Sequence, residues 1–98
     1  MKRTSTAAEK RHLASVSALG CILCSHAYGN YEVPAEVHHV RVNHGWGRSS
    51  HLMTIGLCPE HHRGNSGVHN HGREQFEAIH GFSEMDLLAV VHAKLGIE

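Results

Sequence analysis

The sequence of 98 residues lacks long apolar runs, and it is too short for a second domain. Its longest apolar stretch lies around residues 87–91, far short of the roughly 20 residues that cross a membrane as a helix. No positively charged segment followed by an apolar one stands at Met1, so there is no signal-peptide pattern. One domain leaves no room for a separate cofactor-binding fold. We therefore expect a cytoplasmic protein with neither a membrane partner nor a small-molecule cofactor.

Net charge is also absent, because nine Lys and Arg balance nine Asp and Glu. This balance argues against a polybasic tail that binds nucleic acid by counterion release alone. The charges are nevertheless unevenly distributed. Residues 1–73 contain eight Lys and Arg against four Asp and Glu, a net charge of +4, whereas residues 74–98 contain one Lys against five acids, a net charge of −4. We expect any anion-binding surface in the first three quarters of the chain.

Cysteine is scarce: the chain has three, and an odd number of cysteines cannot all pair in disulfides. The spacing Cys21-x2-Cys24 is matched by Cys58-x2-His61. Zinc takes four such ligands at tetrahedral angles, and two tight turns can present two each. Buried thiols or a redox pair would leave the second spacing unexplained. We predict a structural zinc, which would also stabilise a thin core.

Histidine, by contrast, is abundant, with twelve residues spread along the chain. His38 and His39 stand at the end of an expected strand, and His62 directly follows His61. If one histidine of the pair binds a metal and the other stays free, the free imidazole is suited to take a proton from water near neutral pH. The alternative is a pair of solvated surface histidines, but the register of the pair against the cysteines favours a metal site.

The pattern of apolar residues, caps and breakers predicts an α+β domain. Thr6 and Glu9 have capping-box spacing, and Ser83 and Asp86 repeat it before the last helix. We expect helices over 7–19, 59–63, 73–80 and 84–95, strands over 36–41 and 53–57, and loops over 25–34, 43–50 and 64–72. Phe76 and Ile79 are expected to point inward. The whole chain is read as one domain, with an N-terminal arm and helix (1–19), a zinc and catalytic core (20–72) and a C-terminal helix pair (73–98).

The order of these motifs resembles the zinc-containing branch of the HNH, or ββα-metal, endonucleases. The resemblance implies a small zinc-stabilised core of two short antiparallel strands and a helix, flanked by further helices. It also implies that His38 is a ligand of the catalytic metal, that His39 is the general base and that His62 is a second ligand. Imidazole ligands leave the catalytic metal open among Mg, Mn, Ni and Zn.

A closer resemblance rests on the segments VPAEVHHVR, GWGR, TIGLCPEHHRGNSGVHNHGREQFE and GFSEMDLLA. Over roughly residues 18–96 they are similar to the Ref-like family of RecA-dependent phage recombination nucleases. This resemblance implies DNA as substrate, the RecA filament as a possible partner, and a phage or prophage origin in a bacterial host. It extends over Gly67-Val68-His69, which makes His69 a candidate third ligand of the catalytic metal.

The sequence therefore predicts a metal-dependent DNA endonuclease that hydrolyses phosphodiester bonds. Four arginines beside the motifs are candidates for contacts with the DNA backbone, since a guanidinium can hold a phosphate in a bidentate manner; they are Arg41, Arg48, Arg63 and Arg73. The alternative is a non-catalytic zinc-binding adaptor for DNA or for the RecA filament. An adaptor would hold one zinc, whereas a nuclease would hold a second, exchangeable ion.

Overall fold

The protein is described here from a computed structural model, which describes residues 6–40 and 52–97. Over these residues the element order is α1 (Ala7–Ala18), α2 (Ile22–Tyr28), β1 (Glu36–His39), β2 (Thr54–Leu57), α3 (Pro59–Arg63), α4 (Val68–His80) and α5 (Glu84–Leu95). The predicted α+β class is confirmed. Arg41 and Arg48 lie outside the described residues.

The two strands form an antiparallel sheet, as predicted. Glu36 lies opposite Leu57 and His39 lies opposite Thr54. Pairing continues one residue beyond β1, where the Val40 amide donates to the Met53 carbonyl at 2.7 Å. All four residues of β2 are buried, whereas those of β1 are half-buried. One strand thus lies inside the core, and the other presents its side chains at the edge of it.

Helix α1 lies against β2 because Gly56 permits a close approach. A Cβ atom at Gly56 would stand 2.8 Å from the Gly20 carbonyl oxygen and 3.3 Å from that of Val16. Val16 is fully buried in the core that β2 also enters. The absence of a side chain at one strand position therefore brings the end of α1 onto the sheet.

The predicted helix caps of α1 and α5 are confirmed. Thr6 accepts a hydrogen bond from the Glu9 amide while Glu9 accepts one from the Thr6 amide, and Ser83 and Asp86 do the same. Each pair satisfies two amides that the first helical turn leaves without a partner. Gly96 ends α5 in the left-handed conformation.

Two expectations for the helices are wrong. The segment expected as a loop from residue 25 begins inside α2, because buried Ile22 and Leu23 anchor a short helix that ends at Gly29. The loop expected over 64–72 ends early, since a helical turn starts at Val68 and is kinked at Gly72, where φ is 81°. In both places burial of apolar side chains outweighs the local turn signals.

The core gathers residues from α1, α2, β2, α4 and α5, together with Val40, which follows β1, and the three cysteines. Phe76 is fully buried as expected, but Ile79 is 43% exposed, because α4 turns the face that bears Ile79 towards solvent. None of the helices in the described part of the chain has the length and apolar character that crossing a membrane requires.

Candidate metal centre

Two helix starts bring the predicted zinc ligands together. Cys21 is the N-cap of α2, where its sulfur accepts from the Cys24 amide at 3.4 Å. Cys58 is the N-cap of α3, and His61 lies one turn into that helix. The four ligand atoms all lie within 4.8 Å of one another, and the three cysteines form no disulfide.

The separations of these atoms match a tetrahedral zinc shell. Bonds of about 2.3 Å to sulfur and 2.0–2.1 Å to nitrogen imply edges of roughly 3.8 Å between two sulfurs and roughly 3.6 Å between sulfur and nitrogen. The Cys24 and Cys58 sulfurs are 3.8 Å apart. His61 Nδ1 lies 3.8, 3.5 and 3.3 Å from the sulfurs of Cys21, Cys24 and Cys58, respectively. The donor set therefore fits one zinc ion bound through Nδ1 of His61.

Burial opposes charge on these ligands. It raises the pKa of the Cys24 and Cys58 thiols, and in each case neighbouring cysteines contribute to the shift. Burial also lowers the pKa of His61, which favours the neutral imidazole that binds metal. Thiolates crowded in this way need a cation beside them, which is the role that zinc would fill.

Tyr28 and His80 hold the ring of His61 in place. Tyr28 stacks on this ring with centroids 5.9 Å apart, and His80 meets it edge-on at 4.9 Å. His80 Nε2 donates to the Ser66 carbonyl at 2.9 Å, so its Nδ1 accepts from the Tyr28 hydroxyl at 2.7 Å. His80 thus joins α2, α3 and α4 around the zinc ligands.

A second group of possible ligands comprises His38, His62 and His69, from β1, α3 and α4. Their ligand atoms lie within 4.8 Å of one another, and Nε2 of His62 and Nε2 of His69 are 3.0 Å apart. Two nitrogens bound to one ion at 2.0–2.1 Å stand roughly 3.0 Å apart at octahedral angles and roughly 3.3 Å apart at tetrahedral angles. Desolvation, together with His62 and His38, lowers the pKa of His69, which favours the neutral form that binds metal. The set can hold one divalent ion that accepts imidazole ligands.

A carboxylate that the sequence prediction missed orients His62. Glu36 Oε1 accepts from His62 Nδ1 at 2.8 Å, which leaves the lone pair of Nε2 on the side of His69. Arg63 pairs with the same carboxylate, its Nη2 lying 2.6 Å from Oε2. The hydrogen bonds from Arg63, which have the larger effect, and from His62 lower the pKa of Glu36 to about 2. Glu36 and His38 share a face of β1, and this period of two is the signal that could have found Glu36.

A second missed carboxylate contacts His38. Glu84, the first residue of α5, lies with Oε2 2.5 Å from His38 Nε2. No sequence signal linked the two, since 46 positions separate them. Glu84 also lines a surface cleft of about 240 Å³, together with Val40, Arg73, Glu74, Glu77, Ser83 and Met85.

The other predicted site residues that the structure describes, His39, Arg63 and Arg73, lie outside the histidine cluster. His39 is the last residue of β1 and is half-buried. Among the described residues, the group of histidines whose ligand atoms lie close together does not include it. Arg63 is exposed and held by Glu36, and Arg73 borders the cleft beside Glu84. The structure thus brings all seven predicted metal ligands into two groups. The predicted base, His39, belongs to neither group and directly follows the predicted ligand His38 in the sequence.

A protein-family model described as "Recombination enhancement, RecA-dependent nuclease" matches residues 5–95, nearly the whole chain. No curated protein matches the chain. The match covers both groups of possible metal ligands and all the helices and strands.

Proposed function

The chain belongs to the family of recombination-enhancement, RecA-dependent nucleases, and from this premise we propose that it is a metal-dependent DNA endonuclease of the HNH type. The proposed reaction is hydrolysis of phosphodiester bonds. The order of β1, β2 and α3 agrees with a ββα-metal core, in which the strand pair and the following helix carry the site.

The observation that carries the proposal is the cluster of His38, His62 and His69. Three imidazoles from three elements converge within 4.8 Å, apart from the cysteine-rich group. A structural zinc in the cysteine-rich group does not account for a second convergent set, and neutral imidazole is the commonest metal ligand. An exposed third member, His69, keeps the site open towards solvent and a substrate.

An ion held by this cluster would supply positive charge to offset the charge that develops on the phosphate and the leaving oxygen. His39 acts as general base: its imidazole takes a proton from the water whose oxygen attacks phosphorus, the bond from phosphorus to the 3′ oxygen breaks, and the leaving 3′ oxygen takes a proton from solvent. Glu36 keeps His62 in one orientation through Nδ1. Arg73, which lines the cleft that Glu84 also lines, is a candidate for holding the DNA backbone.

Dependence on RecA agrees with the charge of the chain. Residues 1–73, which include the three histidines of the cluster, have a net charge of +4, but the whole chain has a net charge of zero. Few phosphate contacts give weak, salt-sensitive binding to free DNA. A filament that already holds the DNA would provide the affinity that the nuclease lacks.

A cleavage assay on plasmid and single-stranded DNA tests the proposal, run with Mg, Mn, Ni or Zn and with or without RecA and ATP. We expect cleavage in the presence of RecA and ATP with at least one of these metals, and loss of cleavage when the metal is chelated. Products with 3′-hydroxyl and 5′-phosphate ends are expected. A pure, zinc-loaded protein that cleaves in none of the arms would contradict the proposal and favour the non-catalytic adaptor.

A further inference from the structure

Glu84 is the only charged side chain that is buried among the described residues, at 5% exposure. Removing a carboxylate from water is costly unless the carboxylate is paired or hydrogen-bonded. Its oxygen Oε2 contacts His38, whereas Oε1 is shielded from solvent and has no hydrogen-bond partner. A buried carboxyl group with one hydrogen-bond partner points to a role in what that partner does.

The contact decides which nitrogen of His38 is available. Because a carboxylate oxygen 2.5 Å from Nε2 accepts a hydrogen bond, Nε2 carries the proton and Nδ1 carries the lone pair. His38 is itself only 11% exposed, so water does not compete for the contact. The arrangement parallels that of His62, where Glu36 takes Nδ1 and leaves Nε2 towards the cluster.

We propose that Glu84 is a positioning residue of the second metal site, which holds His38 in the tautomer that binds the ion through Nδ1. This inference rests on the proposed nuclease site and adds a residue of α5 to it. A carboxylate that accepts from the outer nitrogen of a ligating imidazole fixes the ring and raises its basicity. Direct binding of the ion by Glu84 fits less well. Among the described residues, the ligand atoms of this group that lie within 4.8 Å of one another belong to the three histidines and not to Glu84.

The placement of Glu84 ties the metal site to the C-terminal helix. Ser83 caps α5 and fixes its first turn, where Glu84 stands, while Leu87 and Leu88 anchor the next turn in the core. The side chain of Glu84 is thereby presented to β1 by an element outside the two strands and α3. Docking of α5 is then required for full metal affinity, and not only for folding.

The first test measures metal affinity in zinc-loaded protein by titration with Co²⁺, using the unaltered chain, Glu84→Gln and Glu84→Ala. Glu77→Gln is the matched control, because Glu77 lines the same cleft but is exposed on α4. We expect Glu84→Ala to weaken binding of the second ion about 10- to 100-fold and Glu84→Gln, which retains an acceptor, to weaken it less. Structural zinc content and the visible spectrum of the cobalt-saturated protein should stay unchanged.

The second test needs no second ion. A nitrogen–proton correlation spectrum of the zinc-loaded protein reports which imidazole nitrogen is protonated. We expect His38 to carry its proton on Nε2 in the unaltered chain and in Glu77→Gln, and to lose this preference in Glu84→Ala.

The outcomes separate this inference from the proposed function. Unchanged cobalt affinity in Glu84→Ala, or a His38 proton on Nδ1 in the unaltered chain, overturns the positioning role alone. A saturated cobalt spectrum altered in Glu84→Ala would make Glu84 a ligand and also overturn it. An unaltered chain that binds no second ion overturns the proposed metal-dependent nuclease and this inference together.

Discussion

At the residue scale, the structure accounts for several histidines that the sequence left without a role. His71, His80 and His92 each donate from Nε2 to a backbone carbonyl, those of Asn65, Ser66 and Leu52. Each of these hydrogen bonds joins a helix to a carbonyl outside it, and that of His80 is half-buried, so these side chains stabilise the neighbouring loops. An imidazole that caps a carbonyl and one that binds metal look alike in the sequence, because only the partner differs.

Replacement of His39 by alanine tests the proposed general base. We expect His39→Ala to lower the cleavage rate about 10²- to 10⁴-fold, the usual contribution of a positioned base, while both metal ions remain bound. The measurement is single-turnover nicking of plasmid DNA with metal content determined in parallel. The control is His26→Ala, at an exposed position of α2 outside both ligand groups. An undiminished rate in His39→Ala would remove His39 from the mechanism.

His69 separates the two metal groups. We expect His69→Ala to weaken binding of the second ion by at least about tenfold, since one of three imidazole ligands is lost, and to leave one zinc per chain. Equilibrium dialysis with Ni²⁺ checks the affinity, and elemental analysis checks the zinc. His71→Ala is the control two residues away, because His71 donates to the Asn65 carbonyl and lies outside the cluster. Equal affinity in the two variants would contradict the three-histidine site.

At the element scale, short helices place the ligands. The first turns of α2 and α3 present two candidate zinc ligands each, with Cys21 and Cys58 as N-caps. Isolated helices of five to seven residues are not stable in water, so their formation depends on packing and on the ligated ion. That dependence explains why α2 was missed, since its sequence has turn signals and no long apolar period.

Matched cap variants test the link between α5 and the metal site. Ser83→Ala and Thr6→Ala each remove one capping-box hydroxyl, so each should cost about 1 kcal/mol in the free energy of unfolding. Only Ser83→Ala should also weaken binding of the second ion, because Glu84 follows Ser83 directly. Denaturant unfolding and Ni²⁺ titration provide the two readouts. A loss of Ni²⁺ affinity of the same size in Thr6→Ala would show a general effect of stability.

At the scale of the whole molecule, the zinc group is part of the core. Cys21, Cys24 and Cys58 belong to the same buried cluster as Val16, Phe76 and the apolar residues of α5. A chain of 98 residues supports only a small apolar core. An ion that joins α2 to α3 through this cluster would therefore contribute much of the stability of the fold.

Removal of zinc should unfold the domain. Structural zinc contributes on the order of 10 kcal/mol, more than the apolar core of such a chain can replace. We expect a strong chelator, or the change Cys21→Ala, to abolish the cooperative thermal transition and most of the helical circular dichroism. The His69→Ala variant, measured without chelator, should retain the cooperative thermal transition and the helical circular dichroism. Persistence of a cooperative transition in zinc-free protein would show that the metal is not structural.

The resemblance to known nucleases pointed to the three histidines of the second group. The sequence by itself determined the α+β class, the two capped helices, the strand pair and the four candidate zinc ligands. These follow from local chemistry: caps, breakers and ligand spacings are set by neighbours along the chain. The tertiary structure alone decided the partners Glu36 and Glu84, the helix α2 and the exposure of Ile79. They depend on contacts between residues far apart in sequence, or on burial that outweighs local preference. In particular, 46 positions separate Glu84 from His38, and only the packing of α5 against the sheet brings their side chains together.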